Sequence, residues 1–150
     1  MENKTSAPRK MKRKRFLSYQ KAKVVHDMTV YFCKELMPEG CSTVESMLNA
    51  AKECRYNIYK GSIYKAPIKS KIEHLNVAAE RLAELFGYYK EYLSSNGLEM
   101  WEKESEETLF IRLLGREHND AEFFLEMALT HPPQTVANTV IVLIKQADYL

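Results

Sequence analysis

The sequence predicts an all-α fold, an up-down four-helix bundle with a short helical insert before the last helix. Five Gly and five Pro in 150 residues are too few for the many turns of a sandwich or barrel. Apolar residues recur at spacings of three and four over four long stretches, the period of amphipathic helices. The one β-branched run, Val140 to Ile144, has no second strand pattern to pair with.

Residues 1–15 lack apolar periodicity and read as a disordered basic tail, which leaves 16–150 as the bundle and 98–133 as its insert. Ala22, Val25, Thr29, Phe32, Cys33 and Leu36 mark a first helix from about Ser18, ended by Pro38 and Gly40. Ser42 followed by Glu45 fits a capping box, in which the two side chains satisfy free amides at a helix start. The second helix then turns Met47, Ala51, Cys54 and Ile58 inward as far as Lys60, with Gly61 expected in the left-handed terminating conformation. In the third, a seam runs through Ile72, Leu75, Ala79, Leu82, Phe86, Tyr89 and Leu93 to Asn96-Gly97. A second stripe, Leu85, Tyr88 and Tyr92, lies off that seam and is expected to form the contact of a homo-oligomer.

Within the insert, Thr108–Leu114 and Ala121–Leu129 read as short helices separated by Gly115 and Asn119. Trp101, Phe110, Leu113, Phe123 and Phe124 are too many large apolar groups for a solvated loop and are expected to cap one bundle end. The final helix, from about Gln134 to Leu150, is apolar nearly all round, as suits the most buried helix of a bundle. It stops in register without a cap, which suggests a longer parent chain.

The net charge of +2 conceals a strong polarity. Residues 1–15 carry +6 and residues 52–71 carry +5, whereas residues 72–150 carry −8. A polyanion is therefore attracted to one side of the molecule and repelled by the other. In the tail, Arg9, Lys10, Lys12, Arg13, Lys14 and Arg15 are candidate phosphate contacts. On the second helix Lys52, Arg55, Tyr56, Tyr59 and Lys60 interleave cations with rings, and Tyr64 and Lys65 follow in the loop. Cations that hold phosphates beside rings that stack on bases are what single-stranded nucleic acid binding uses. An antiparallel second helix brings Tyr59 and Lys60 back beside the start of the first, so the two basic segments are expected at one end.

Other classes are disfavoured. No apolar run reaches the ~18–20 residues of a membrane span, and none follows the basic start as a secretory signal would require. Cys33, Cys41 and Cys54 are an odd set without paired spacing, which points to a reducing cytoplasm. The four His lack the i, i+4 spacing of a helical metal site, and no CxxC occurs, so no metal or other cofactor is expected. Glu117-His118-Asn119-Asp120 has no nucleophile beside it, and a non-enzyme is expected.

Ala50-Ala51 and Asn57-Ile58-Tyr59-Lys60-Gly61-Ser62 resemble the second-helix ending of the bacterial four-helix-bundle proteins named after the intervening sequence of large ribosomal RNA genes. Tyr19-Gln20-Lys21-Ala22 and Leu82-Ala83-Glu84-Leu85 are similar to motifs of that family's first and third helices. Gly97-Leu98, Trp101, Leu114-Gly115-Arg116, Ala137-Asn138-Thr139, Gln146-Ala147 and Tyr149-Leu150 resemble the subgroup called the four-helix-bundle suffix domain. The resemblance spans about residues 16–150 and departs at Lys60, where the family commonly has Glu, and in lacking the tail that follows Tyr-Leu. It implies a small oligomeric bundle without catalytic activity. Related bundles, the accessory variability proteins of diversity-generating retroelements, form pentameric rings and bind a reverse transcriptase and its RNA. The function expected is a non-catalytic RNA- or single-strand-binding accessory subunit, with itself and a reverse transcriptase as partners. The alternative is a protein-interaction scaffold that meets an acidic protein partner.

Overall fold

A computed structural model describes the backbone of residues 2–63 and 65–149 and the side chains of 16–63 and 65–148. The described residues form six α-helices and no strand: α1 (Glu2–Glu35), α2 (Ser42–Gly61), α3 (Ile68–Ser95), α4 (Glu106–Glu117), α5 (Ala121–Leu129) and α6 (Pro133–Tyr149). The chain is all-α. None of these helices is long and apolar enough to cross a membrane.

The four long helices close a ring of contacts: α1 packs on α2, α2 on α3, α3 on α6 and α6 on α1. Of the short helices, α4 lies against α6 and α5 against α1. Met28, Phe32, Met47, Tyr89 and Leu143 are among the large side chains buried where the long helices meet. Tyr89 is fully buried, and its hydroxyl donates to Thr29 Oγ1 at 2.9 Å, which satisfies both polar groups inside the core. In α6, Val136, Ala137 and every residue from Val140 to Ile144 are buried, so this helix has no solvated face along that stretch, as its sequence predicts.

Several local expectations change. The backbone of residues 2–15, expected as a disordered tail, belongs to α1. Lys, Arg, Met and Ala, which make up most of residues 7–15, are good helix formers and extend the helix without an apolar stripe. The capping box is not made, because Cys41 and not Ser42 is the N-cap of α2. Gly61 is not left-handed either. Among the described residues positive φ occurs only at Gly40 and Gly97, and α2 ends in Ser62 with φ −98°. Gly61 is instead a point of close approach, since a Cβ there would lie 2.7 Å from Leu75 Cδ2. Ser62 bonds a helix-end carbonyl, Oγ to Ile58 O at 2.6 Å. Gly115 lies inside α4 rather than between two helices.

The buried face of α3 is Ala78, Leu82, Leu85, Tyr89 and Leu93, whereas Ile72 and Leu75 of the expected seam are exposed. Ala79 of that seam is exposed as well, so the covered stripe of α3 lies to one side of the expected one. Leu85 has no exposed surface and therefore cannot form a subunit contact. Tyr92 is half-buried against Phe32, ring centroids 4.8 Å apart, and half-buried Tyr88 donates to Glu84. In the insert Phe124 is buried and Phe123 stacks on His118, but Phe110 and Leu113 are exposed. They share α4's outer face, while Thr108, Ile111 and Gly115 form its buried one.

Candidate functional site

The first candidate is the outward face of α2. Its inner positions, Met47, Ala50, Ala51, Cys54 and Ile58, are apolar and buried, which forces the interleaved cations and rings outward. Tyr56 and Tyr59 are each 54% exposed, and Lys52 and Lys65 are exposed with them. Half-buried Lys60 holds its ammonium 5.9 Å from the Tyr56 ring centroid. Tyr56 also meets His74 of α3 edge-on. The rings are thus steadied at their bases with more than half of each left to solvent. Arg55 is not part of this free set: its guanidinium donates to the Tyr19 hydroxyl from Nε at 3.3 Å and Nη2 at 3.2 Å.

Those same contacts orient the two helices. Tyr19 lies against Tyr59, Arg55 reaches Tyr19 and His26, and Cys33 meets Met47, so rising number in α1 pairs with falling number in α2. The pair is antiparallel. The backbone of residues 9–15 continues α1 beyond Tyr19, at the end where α2 finishes. The side chains of Arg9, Lys10, Lys12, Arg13, Lys14 and Arg15, and Tyr64, lie outside the described residues. Ile63 in the α2–α3 connection and Ile68, Ile72 and Leu75 of α3 are exposed apolar side chains.

The second candidate was not singled out from sequence. A cavity of about 710 Å³ opens between α1, α4 and α6, with the segment before α4 at its mouth. Leu17, Met100, Trp101, Ile141 and Val142 supply its apolar wall. Five cations line it, Lys21, Lys103, Arg112, Arg116 and Lys145, and no Asp or Glu among the described residues does. Lys21 is only 3% exposed. Its ammonium donates to the carbonyl of Gly115, one of the last-turn carbonyls of α4 that have no partner within the helix. Burial pushes its pKa down to about 8. Lys145 rests over the Phe86 ring, 4.7 Å from the centroid.

Gln146 closes one side of the cavity. Its Nε2 donates to Arg112 O at 2.8 Å, which sets the amide's orientation and leaves Oε1 buried without a donor among the described residues. Glycine at 115 makes that position possible, since a Cβ there would fall 2.0 Å from Gln146 Oε1. Lys21, Trp101, Gly115, Arg116, Asn138 and Gln146, noted separately in five short motifs, all border this one space. Their common destination is the signal that reading one stretch at a time does not reveal. Among the described residues no three His, Cys, Asp or Glu side chains gather as a metal site. Comparison with family models, curated proteins and solved structures gives no match for this chain.

Proposed function

We propose that the protein is a non-catalytic, self-associating nucleic-acid-binding subunit, and that α1, α2, α3 and α6 form an up-down four-helix bundle with α4 and α5 as its insert. The closed ring of long-helix contacts supports the bundle reading. The observation that carries the function is the half-exposure of Tyr56 and Tyr59 on a helix face shared with Lys52 and Lys60, with exposed Lys65 in the turn that follows. Large rings left more than half in water beside lysines suit bases that stack and phosphates that need countercharge. The antiparallel α1–α2 pair adds the basic 9–15 segment to the same end. The resemblance to intervening-sequence bundles extends the reading to an accessory role beside a reverse transcriptase of a diversity-generating retroelement, in the cytoplasm.

Fluorescence anisotropy with single-stranded RNA over a salt series tests this. Lys52→Glu with Lys60→Glu should weaken binding and reduce the log–log salt slope by about 0.7 for each phosphate that is no longer neutralised. Tyr56→Ala and Tyr59→Ala should each weaken it by ~1–3 kcal/mol per stacked base with the slope unchanged, because stacking releases no counterions. Equal affinity at about 50 and about 300 mM salt would remove the nucleic-acid reading. The exposed Ile63, Ile68, Ile72 and Leu75 favour a second reading, a scaffold for an acidic protein partner. Binding to that partner should then respond to Ile68→Gln and Ile72→Gln, and RNA binding should not.

A further inference from the structure

The cavity between α1, α4 and α6 has the composition of a ligand site, and the geometry points to an amphipathic organic anion, an acidic head on an apolar body, as its occupant. Its volume of about 710 Å³ lies within the ~300–1,000 Å³ of small-molecule sites. The charge distribution is the stronger argument. Residues 72–150 hold six cations against fourteen acidic residues, yet four of those cations, Lys103, Arg112, Arg116 and Lys145, line this cavity. No acidic side chain among the described residues joins them, and Lys21 adds a fifth positive charge. Among the described residues none of the five is ion-paired. Gathering like charges around one space, within an acidic half of the chain, costs repulsion that an anion in that space relieves.

The remaining lining sets what the anion must carry. Trp101, Ile141 and Val142 form an apolar wall, which a small inorganic ion leaves uncovered and a hydrocarbon or aromatic body fills. Lys21 spends one ammonium hydrogen on Gly115 and keeps two for the ligand. This site is separate from the α2 face, whose Tyr56, Tyr59 and Lys52 take no part in it.

The probe is 8-anilinonaphthalene-1-sulfonate, which combines an anionic head, an aromatic body and one N–H. Fluorescence titration of the full chain should saturate at one probe per chain. Dodecanoate should displace it at about ten-fold lower concentration than uncharged dodecan-1-ol, since the head supplies charge-assisted bonds the alcohol lacks. Inorganic phosphate, which has no body, should not displace it. Val142→Trp, which fills the cavity, and Arg116→Glu, an exposed change that leaves the core intact, should each weaken binding about ten-fold or more. Phe110→Gln, on the exposed outer face of α4, should leave it unchanged. Non-saturating binding, equal displacement by acid and alcohol, insensitivity to Arg116→Glu, or loss on Phe110→Gln would each overturn the assignment.

Discussion

The side-chain carbonyl of Asn57 in α2 lies 2.7 Å from Nδ1 of His74 in α3, and the same amide donates through Nδ2 to Glu53 O at 2.8 Å. Both ends of a buried amide are thereby used, and the imidazole must donate from Nδ1. One turn further on, Gly61 lets Leu75 and the Lys71 carbonyl come close. The Asn57-Gly61 pair therefore sets the register of α2 against α3 and, through His74, the seat of the Tyr56 ring. Asn57→Ala is expected to destabilise the fold by about 1–2 kcal/mol, from the missing bonds and an unpaired imidazole N–H. Urea unfolding monitored by circular dichroism measures this, and an unchanged midpoint would contradict it.

Leu85 and Tyr88 separate core from surface on the same helix. Leu85 is wholly enclosed, so Leu85→Glu places a carboxylate among apolar groups and should cost several kcal/mol, on the order of 3–5. Tyr88 is half-exposed, and Tyr88→Gln should cost about 1 kcal/mol or less. Thermal melts of both variants test the contrast. A Leu85→Glu protein that keeps its melting temperature and merely changes its assembly would show the side chain to be accessible after all.

Lys21 makes stability depend on pH. Its folded pKa of about 8 lies below the ordinary 10.5, because burial penalises the ammonium. Arg112 and Arg116 of α4, Lys145 of α6 and Lys103 of the preceding segment face the same cavity and carry the same sign. Between pH 8 and 10.5 the unfolded chain holds a proton that the folded chain has released, so this group's contribution to stability rises with pH. Lys21→Met lacks that dependence. The wild type should gain on the variant by roughly 2 kcal/mol across the window. Denaturant unfolding of both proteins at the two ends of the window checks it, and parallel profiles would rule it out.

The three cysteines should divide by reactivity. Hydrogen bonds from the Thr43 backbone and hydroxyl hold the Cys41 thiol below its ordinary pKa, while burial pushes Cys33 up to about 11 and Cys54 up to about 12. Iodoacetamide at neutral pH should therefore modify Cys41 first, with Cys33 and Cys54 following only on unfolding, as peptide mass mapping would record. The buried thiols also act on stability in the opposite sense to Lys21. Above the ordinary thiol pKa of 9.0 the unfolded chain ionises while the folded one does not, and stability falls. Cys54→Ala should show a shallower loss between pH 9 and 11 than wild type.

The helices were legible in the sequence to different degrees. The end of α3 at Asn96-Gly97 and the start of α5 came out as expected, the second because Asp120 accepts from the Phe123 amide. The start of α2 did not, because Ser42 and Glu45 match the capping pattern without making its bonds. Of the α2 face, Tyr56 and Tyr59 project as their spacing predicts, but Arg55, one position away, is drawn into the α1 contact. Spacing gives the direction in which a side chain leaves its helix and not the partner waiting there.

The sequence by itself determined that this chain is helical, where α2, α3 and α6 run, and that α6 is buried all round from Val136 to Ile144, since periodicity and turn residues act within a few positions of one another. Only the tertiary structure decided which apolar stripe of α3 is covered, because that depends on how α2 and α6 pack against it. It alone put Leu85 inside and left Leu75 exposed. It alone brought Lys21 to Gly115, 94 positions apart, and gathered cations from α1, α4 and α6 around one apolar space. Burial and long-range proximity belong to the packing of whole helices, and no local pattern encodes them.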